Sequence, residues 1–289
     1  MIHAVVVSLG SAVVVAAVLA LTTVGFTLRY AVSGVFDLTY GALMGIAMFG
    51  AYLCARAGLN LWLAVPTAGI GIGLVSVLLE RAVVRPMTAR GATSWVMMII
   101  TFAIGLAIEA SVLGSWGPGF TSYALVGRTF HFWGVVVTAD QLWILLCAAV
   151  GTLAIGLVLH VTQWGRAMRA TATNPGLAES CGIRVPTVRT LTWFLSGCLC
   201  GVGGVLIAIQ IGSFSYSTWE QFLPLVIAAA IVGGVGRTGG AVAGALLIGL
   251  VTALASALLS SAYEDVIALG ILIAVLLLRP QGLLTRAAQ

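Results

Sequence analysis

The chain has 289 residues, of which 61% are hydrophobic and only 7% are charged. A soluble domain carries about 25% charged residues, so this composition excludes an ordinary soluble domain and indicates a membrane protein. The basic residues behind the net charge of +5 are all arginine. They form no basic cluster with aromatic residues of the kind that a nucleic-acid surface requires, so no nucleic-acid partner is expected.

Apolar runs recur along the chain, most of them near the ~20 residues that a helix needs to cross ~30 Å of hydrocarbon. They predict an all-α, polytopic integral membrane helical bundle of about nine spans, within a range of about eight to ten. The first run lacks a basic leading segment and a small-residue cleavage site, so it is predicted to be a retained span. The runs near 35–55 and 222–236 are the least regular, and either could be broken or cross only partly. The predicted spans cover 5–28, 35–55, 61–80, 92–115, 140–162, 190–211, 222–236, 240–260 and 264–278.

The arginines indicate which side of the membrane each loop faces. With the N-terminus outside, eleven of the thirteen arginines fall in inner loops, and only Arg56 and Arg128 fall in outer ones. Cytoplasmic loops carry such an excess of basic residues, so the C-terminus is predicted to be cytoplasmic. Residues 1–289 would then form one transmembrane domain, with a long inner segment at 163–189.

Asp37 is an ionisable residue in the middle of an otherwise apolar stretch. An ionisable group at membrane depth is costly and is a candidate functional group for that reason. If the span is interrupted here, a half-helix end would point toward the translocation pathway, as in other transporters with discontinuous helices. The alternative is structural: Asp37 caps a helix start beside Gly34, on the inner side near Arg29, because aspartate favours such positions.

Glu109 lies toward the outer end of its span. It could line an outer vestibule, or it could pair with an arginine such as Arg128, and pairing is favoured because polar groups within reach in a membrane satisfy each other. Glu80, beside Arg81 at an inner boundary, is predicted to be structural. The candidate translocation-pathway residues are Asp37, Thr39, Tyr40, Gly41 and Glu109.

The inner segment contains the pattern of a short capped helix. Asn174 is a good N-cap, Pro175 suits the first helical position, and Gly182 suits the left-handed residue that ends a helix. A helix at 175–181 has about two turns and is too short to be stable alone in water, so it needs packing against its own spans or a partner. An ordinary capped loop helix is the alternative. Three small residues would let a partner's groove approach closely: Gly176, Ala178 and Ser180.

The remaining small and reactive residues point to packing rather than chemistry. The glycine stripes favour close helix crossing over the rival role of a glycine-lined pore wall, and the glycine-dense 233–240 predicts a tight inner turn carrying Arg237. Four of the five cysteines lie in apolar runs, where cysteine packs as a small hydrophobe. The sequence contains no H-E-x-x-H or G-x-S-x-G motif and no cluster of metal ligands, so no catalytic or metal site is predicted. The stripes are Gly197, Gly201, Gly203 and Gly204, and Gly240 and Gly244.

Four motifs together resemble one family. Residues 165–170 (GRAMRA) followed by 174–183 (NPGLAESCGI) resemble the coupling segment of permease subunits in ABC importers of the branched-chain amino acid type. Residues 34–44 (GVFDLTYGALM) resemble the family's second-span motif, 233–245 (GGVGRTGGAVAGA) its glycine-rich turn, and 279–283 (RPQGL) its ending. The motifs occur in the right order over nearly the whole chain. Within the family, the chain is more similar to the shorter of the two permease subunits.

The resemblance implies an assembly. Two ABC ATPase subunits would dock on the coupling segment, a second permease subunit would complete a heterodimeric pore, and an extracytoplasmic solute-binding protein would deliver the solute. This chain has no lysine and no Walker A motif, so it would bind no cofactor itself, and ATP and Mg²⁺ would be held by the partner ATPases. The location implied is the bacterial cytoplasmic (inner) membrane, in a multi-pass arrangement. The implied ATPase-coupling residues are Arg166, Arg169, Asn174, Pro175, Ala178, Glu179 and Gly182.

The implied function is that of a non-catalytic permease for a small polar solute, with branched-chain or hydrophobic amino acids favoured, moved by alternating access as the ATPases push on 174–182. Urea, short amides and small carboxylates stay open within the same family, since no residue distinguishes a solute side chain. A different class, an ion-coupled secondary transporter or channel, would need a buried ion relay. Asp37 and Glu109 are too few and too differently placed to favour it.

Overall fold

The computed structural model describes residues 2–123, 129–132, 135–234, 236–258 and the single residues 269, 270, 273, 274 and 277. Arg128, most of the predicted last span at 264–278 and the motif at 279–283 lie outside the described residues. The described chain is predominantly helical. Its helices are α1 Ile2–Ser33, α2 Thr39–Arg56, α3 Leu61–Leu79, α4 Arg85–Ala89, α5 Ser94–Trp116, α6 Ala139–Val161, α7 Gln163–Thr173, α8 Pro175–Ser180, α9 Val185–Ile211, α10 Thr218–Gly233 and α11 Thr238–Leu258.

The all-α membrane bundle is confirmed, whereas the span count of nine and the sidedness of the termini stay predictions. In the described part of the chain, five segments are long and apolar enough to cross a membrane. The irregular run near 222–236 corresponds to α10, whose 16 residues make a helix about 24 Å long, shorter than the ~30 Å hydrocarbon core. The five segments are Gly10–Ser33, Leu61–Ala89, Ser94–Trp116, Ala139–Val161 and Val185–Ile211.

Burial divides the bundle into a centre and a periphery. Helix α1 packs on α9, α11 and α6, while α9 also packs on α3 and α2. In α1 and α9, 78% and 61% of the most apolar stretch is buried, against 22% in α5 and in α6. The two central helices therefore form the core, and α5 and α6 expose apolar faces suited to lipid or a partner subunit.

Close helix contacts explain the glycine stripes. A Cβ at Gly204 would lie 2.6 Å from the carbonyl oxygen of Met44, and one at Gly244 would lie 2.3 Å from that of Ala229. Neither contact is sterically possible, so only glycine permits these backbones to approach. The packing interpretation is confirmed. The predicted tight turn before α11 is also present, with φ of +92° at Gly234 and +91° at Gly236.

Short strands join loops at one end of the bundle. Strand β1 (Thr121–Ser122) pairs antiparallel with β4 (Ser213–Phe214), and β2 (Thr129–Phe132) pairs antiparallel with β3 (Val135–Thr138). Strands of two to four residues are too short to show the alternating pattern by which strands are recognised in sequence, which is why they were not predicted. Helices α7 and α8 lie at the other end, which is called the α8 end below.

Candidate functional site

Helix α8 begins as its sequence predicts. The side-chain oxygen of Asn174 accepts a hydrogen bond from the backbone N–H of Leu177 at 3.0 Å, and Pro175 occupies the first helical position. The cap satisfies one of the backbone donors that a helix start leaves without a partner. The predicted roles of both residues in helix capping are therefore confirmed.

The end of α8 is equally well defined. Gly182 has φ of +84°, and its N–H donates to the carbonyl of Glu179 at 2.9 Å. The N–H of Ile183 donates to the carbonyl of Ala178 at 3.0 Å. These two bonds form the Schellman arrangement that closes a helix with a left-handed glycine. The helix ends at Ser180, one residue before the predicted 181.

Arg169 and Gly165 hold α7 against the end of α6. The Nη1 group of Arg169 donates a hydrogen bond to the carbonyl of Leu159. A Cβ at Gly165 would lie 2.3 Å from the same carbonyl oxygen, so this crossing requires glycine. Both residues therefore position the segment. Arg166 and Arg169 are both exposed. Contact of either arginine with an ATPase stays a prediction.

The exposed face of α8 differs from the predicted one. The side chain of Ala178 is only 4% exposed because it packs on its own chain. Leu177, in contrast, is 63% exposed, and Glu179 beside it is exposed as well. Of the three small residues predicted to face a partner, Gly176 and Ser180 are exposed, and only Ala178 packs inward. The large side chains that α8 exposes are those of Leu177 and Glu179. A leucine in a short helix of small and polar residues is the sequence signal that was missed.

A cavity of about 320 Å³ lies between α8, α4 and the start of α9. Glu80, fully buried at the start of the π-helical segment Glu80–Val84, accepts a hydrogen bond through Oε2 from the hydroxyl of Thr190 at 3.0 Å. Arg189 donates through Nη1 to Thr88 Oγ1 at 3.5 Å. Within the described chain, Glu80 Oε1 and Arg189 Nε are buried without a hydrogen-bond partner. The structural role predicted for Glu80 fits this position, and the lining residues include Glu179.

Asp37 lies in a buried network that joins several helices. Its Oδ2 pairs with Nη1 of Arg29, and both side chains are 1% exposed. Arg29 also donates from Nε to Ser196 Oγ and from Nη2 to Ser76 Oγ, each at 3.0 Å. Its guanidinium stacks over the ring of Trp193, 4.2 Å from the centroid. The network ties α1 to α3 and α9.

Asp37 lies just before the N-cap residue of α2, Leu38, and its Oδ1 accepts from the N–H of Thr39, the first residue of that helix, at 2.9 Å. This is the structural alternative considered from the sequence, with Arg29 as the neighbour. The next predicted pathway residues are packed inside the chain: the hydroxyl of Tyr40 donates to the carbonyl of Thr22 at 2.9 Å. A Cβ at Gly41 would lie 2.4 Å from the ring of Trp219. A pathway role for these residues stays a prediction.

Glu109 faces another acid. Its carboxyl group in α5 lies near that of Glu220 in α10, close enough for the two to interact electrostatically. Its proposed partner Arg128 lies outside the described residues, so a pairing with arginine stays untested. The structure brings together two carboxyl groups that are far apart in sequence.

Comparison with known proteins agrees with the resemblance carried by the motifs. Residues 8–276 match the family described as branched-chain amino acid transport system / permease component. The chain belongs to this permease family. A probable branched-chain amino acid transport permease protein LivH from Methanocaldococcus jannaschii is 30% identical over 296 residues, covering 95% of this chain and 91% of the relative.

Two bacterial relatives match over a similar length. The high-affinity branched-chain amino acid transport system permease protein LivH of Escherichia coli is 28% identical and covers 92% of this chain. The corresponding permease protein BraD of Pseudomonas aeruginosa is 27% identical, also over 92% of this chain. Each match covers 91% of the relative, so this permease shares almost its whole length with them.

Proposed function

We propose that this permease is the non-catalytic membrane subunit of an ATP-driven ABC importer for branched-chain or other hydrophobic amino acids. The observation that carries the proposal is α8, a short helix capped at both ends that presents Leu177 and Glu179 to the outside. Two ABC ATPase subunits holding ATP and Mg²⁺ would dock there. A second permease subunit and an extracytoplasmic solute-binding protein would complete the importer in the cytoplasmic membrane. The names of the relatives support the solute class.

The packing of α8 supports a route for coupling. Helix α8 ends at Ser180, and after a four-residue connection α9 begins at Val185. Eleven residues further along, a distance of about 16 Å in a helix, Ser196 bonds to Arg29, which pairs with Asp37 at the start of α2. Movement of α8 would thus reach the bundle centre through one rigid helix. ATPase closure shifts the pore between states only if the ATPases bind the two states differently.

One observation favours a second class of function, that of an ion-coupled secondary transporter. Glu109 and Glu220 bring two carboxyl groups near each other, and ionisable side chains at membrane depth are the groups from which a proton relay is built. Asp37 contributes nothing to such a relay, because its charge is neutralised by Arg29. Urea, short amides and small carboxylates remain rival solutes within the importer proposal.

The test is purification of the assembled complex in mild detergent, followed by uptake in proteoliposomes. Recovery of ATPases with Walker A motifs and a second permease, together with leucine uptake that requires ATP and the binding protein, would support the importer. Uptake by the chain alone, driven by an ion gradient and lost in Glu109→Gln, would overturn it. Competition by isoleucine or by urea then distinguishes the solute classes.

A further inference from the structure

The cavity of about 320 Å³ under α8 has charged side chains of both signs in its wall. Glu80 and Glu179 line it, and so do Arg85 and Arg189. Among the residues that the structure describes, none of these four side chains forms an ion pair. The wall therefore brings two negative and two positive charges to one cavity without pairing them.

Two of these side chains are buried with their hydrogen bonding incomplete. Glu80 is fully buried, and in the described part of the chain its Oε1 has no hydrogen-bond partner. The same holds for Nε of Arg189, which is also buried. A buried acceptor and a buried donor without partners destabilise the conformation that contains them. An arrangement in which the carboxylate and the guanidinium meet would satisfy both groups with a charge-assisted bond.

The present partners of the two side chains are neutral hydroxyl groups. Oε2 of Glu80 accepts from the hydroxyl of Thr190 at 3.0 Å. Nη1 of Arg189 donates to Thr88 Oγ1 at 3.5 Å, which is long for a hydrogen bond and therefore weak. Arg189 directly precedes Thr190 in α9, so it is the chain neighbour of the residue that holds the carboxylate. Release of Thr88 would free the guanidinium for that carboxylate.

The backbone at Glu80 is irregular. Residues Glu80–Val84 form a π-helical segment, in which the N–H of Arg85 donates to the carbonyl of Glu80. Single π-helical turns inside longer helices occur frequently at functional sites. Glu80 therefore lies where the helical stretch Leu61–Ala89 departs from regular α-helical hydrogen bonding.

Helix α8 and the start of α9 form another part of the cavity wall. Glu179 of α8 lines it, together with Val185 and Pro186 of α9. A partner that presses on α8 would reduce the cavity and exclude water from it. Exclusion of water lowers the local dielectric constant, which strengthens the attraction between opposite charges.

We propose that Glu80 and Arg189 form an ion pair when the two ATPases close on ATP and press on α8, and that this pair stabilises the closed state. The inference rests on the proposed function, since it requires ATPases that dock on α8. Arg85 is the rival partner, because it follows Glu80 by five positions and lines the same cavity. Arg189 is favoured because Arg85 is exposed, whereas Nε of Arg189 is buried.

The experiment measures how readily the assembled transporter reaches the closed state. The complex in nanodiscs is titrated with ATP in the presence of vanadate, and the trapped nucleotide is quantified. Glu80→Gln and Arg189→Gln are each expected to raise the ATP concentration for half-maximal trapping about tenfold, and the double variant should be no worse than either, because both changes remove the same pair. Arg85→Gln is the matched control and should behave like the wild type.

Two further measurements separate the ion pair from a merely structural role. Thermal unfolding of the nucleotide-free complex shows that each variant is folded. Electron cryomicroscopy of the wild-type complex, nucleotide-free and vanadate-trapped, gives the distance between the Glu80 carboxylate and the Arg189 guanidinium. The distance should fall to within about 4 Å, the range of an ion pair, in the trapped complex alone.

The outcomes distinguish this inference from the proposed function. ATP-dependent uptake in a complex whose Glu80 and Arg189 stay apart when trapped would overturn the ion pair and leave the importer standing. Additive effects in the double variant, or an effect of Arg85→Gln equal to that of Arg189→Gln, would also overturn the pair. Uptake by the chain without ATPases would overturn both proposals.

Discussion

Two regions of the bundle each combine an acidic side chain with an arginine, and they differ in how completely the charges are satisfied. At the centre, Arg29 bonds to Asp37, Ser196 and Ser76 through three different nitrogens. At the α8 end, Glu80 and Arg189 line one cavity, yet within the described chain Oε1 of the first and Nε of the second have no partner. A fully satisfied buried network makes the packing around it rigid, and an incompletely satisfied one lacks part of that restraint.

This difference suggests separate roles for the two regions. The central network holds four helices in one arrangement, so it suits a pivot. The cavity under α8 lies beside the surface proposed to receive the ATPases, so it suits a joint that changes during transport. The following predictions test this contrast, from the largest expected effect to the smallest.

Asp37→Asn should destabilise the whole bundle. It leaves Arg29 buried without its counter-charge, and breaking a buried ion pair on one side costs about 3–5 kcal/mol. The measurement is the yield of monodisperse protein and its thermal unfolding in detergent. The double variant Arg29→Met/Asp37→Leu, which removes both charges, should recover part of the loss. A well-folded Asp37→Asn protein that has lost only transport would instead favour the pathway role.

Leu177→Asp should weaken ATPase docking about tenfold, or ~1.4 kcal/mol. Burial of an apolar side chain in a docking surface favours binding, and an aspartate would lose that contribution. Leu177 is 63% exposed, so the bundle itself does not depend on it. The docking affinity is measured by titrating the purified ATPases onto the permease in nanodiscs. Ser180→Ala, on the same exposed helix, is the matched control and should bind normally. Equal affinities for the two variants would place the docking surface elsewhere.

Asn174→Ala should loosen α8 locally by about 1 kcal/mol, because the helix loses its N-cap. Hydrogen exchange of the amides at 176–180 should become faster, while exchange in α9 stays unchanged. Asn174→Asp retains the cap and should exchange like the wild type. Unchanged exchange in the alanine variant would show that packing of Ala178 alone holds the helix.

Glu80→Gln should change thermal stability by less than about 1 kcal/mol. Glutamine keeps an oxygen that accepts from Thr190, and it removes a buried charge whose second oxygen has no partner in the described chain. Thermal unfolding of Glu80→Gln and of Asp37→Asn under the same conditions compares the two losses of stability directly. A loss of stability as large as that of Asp37→Asn would mean that the charge of Glu80 is paired in the assembled protein. The central network and the cavity under α8 would then not differ in how completely their charges are satisfied.

Much of the local structure followed from the sequence. Backbone groups in a membrane must be satisfied internally, so apolar runs predicted helices, and Asn174, Pro175 and Gly182 predicted both ends of α8. These signals are local because a cap bonds to residues within a few positions of itself. The motifs from 34–44 to 279–283 likewise identified the family.

The tertiary structure alone decided which polar groups meet. Ser76 and Ser196 are 47 and 167 positions from Arg29, and nothing local in the sequence links them to Asp37 or links Glu109 to Glu220. The same holds for α8, where the sequence placed a small residue, Ala178, on the partner's side and the fold turned it inward, exposing Leu177. Capping depends on neighbours along the chain, whereas burial and charge pairing depend on how the helices pack against each other.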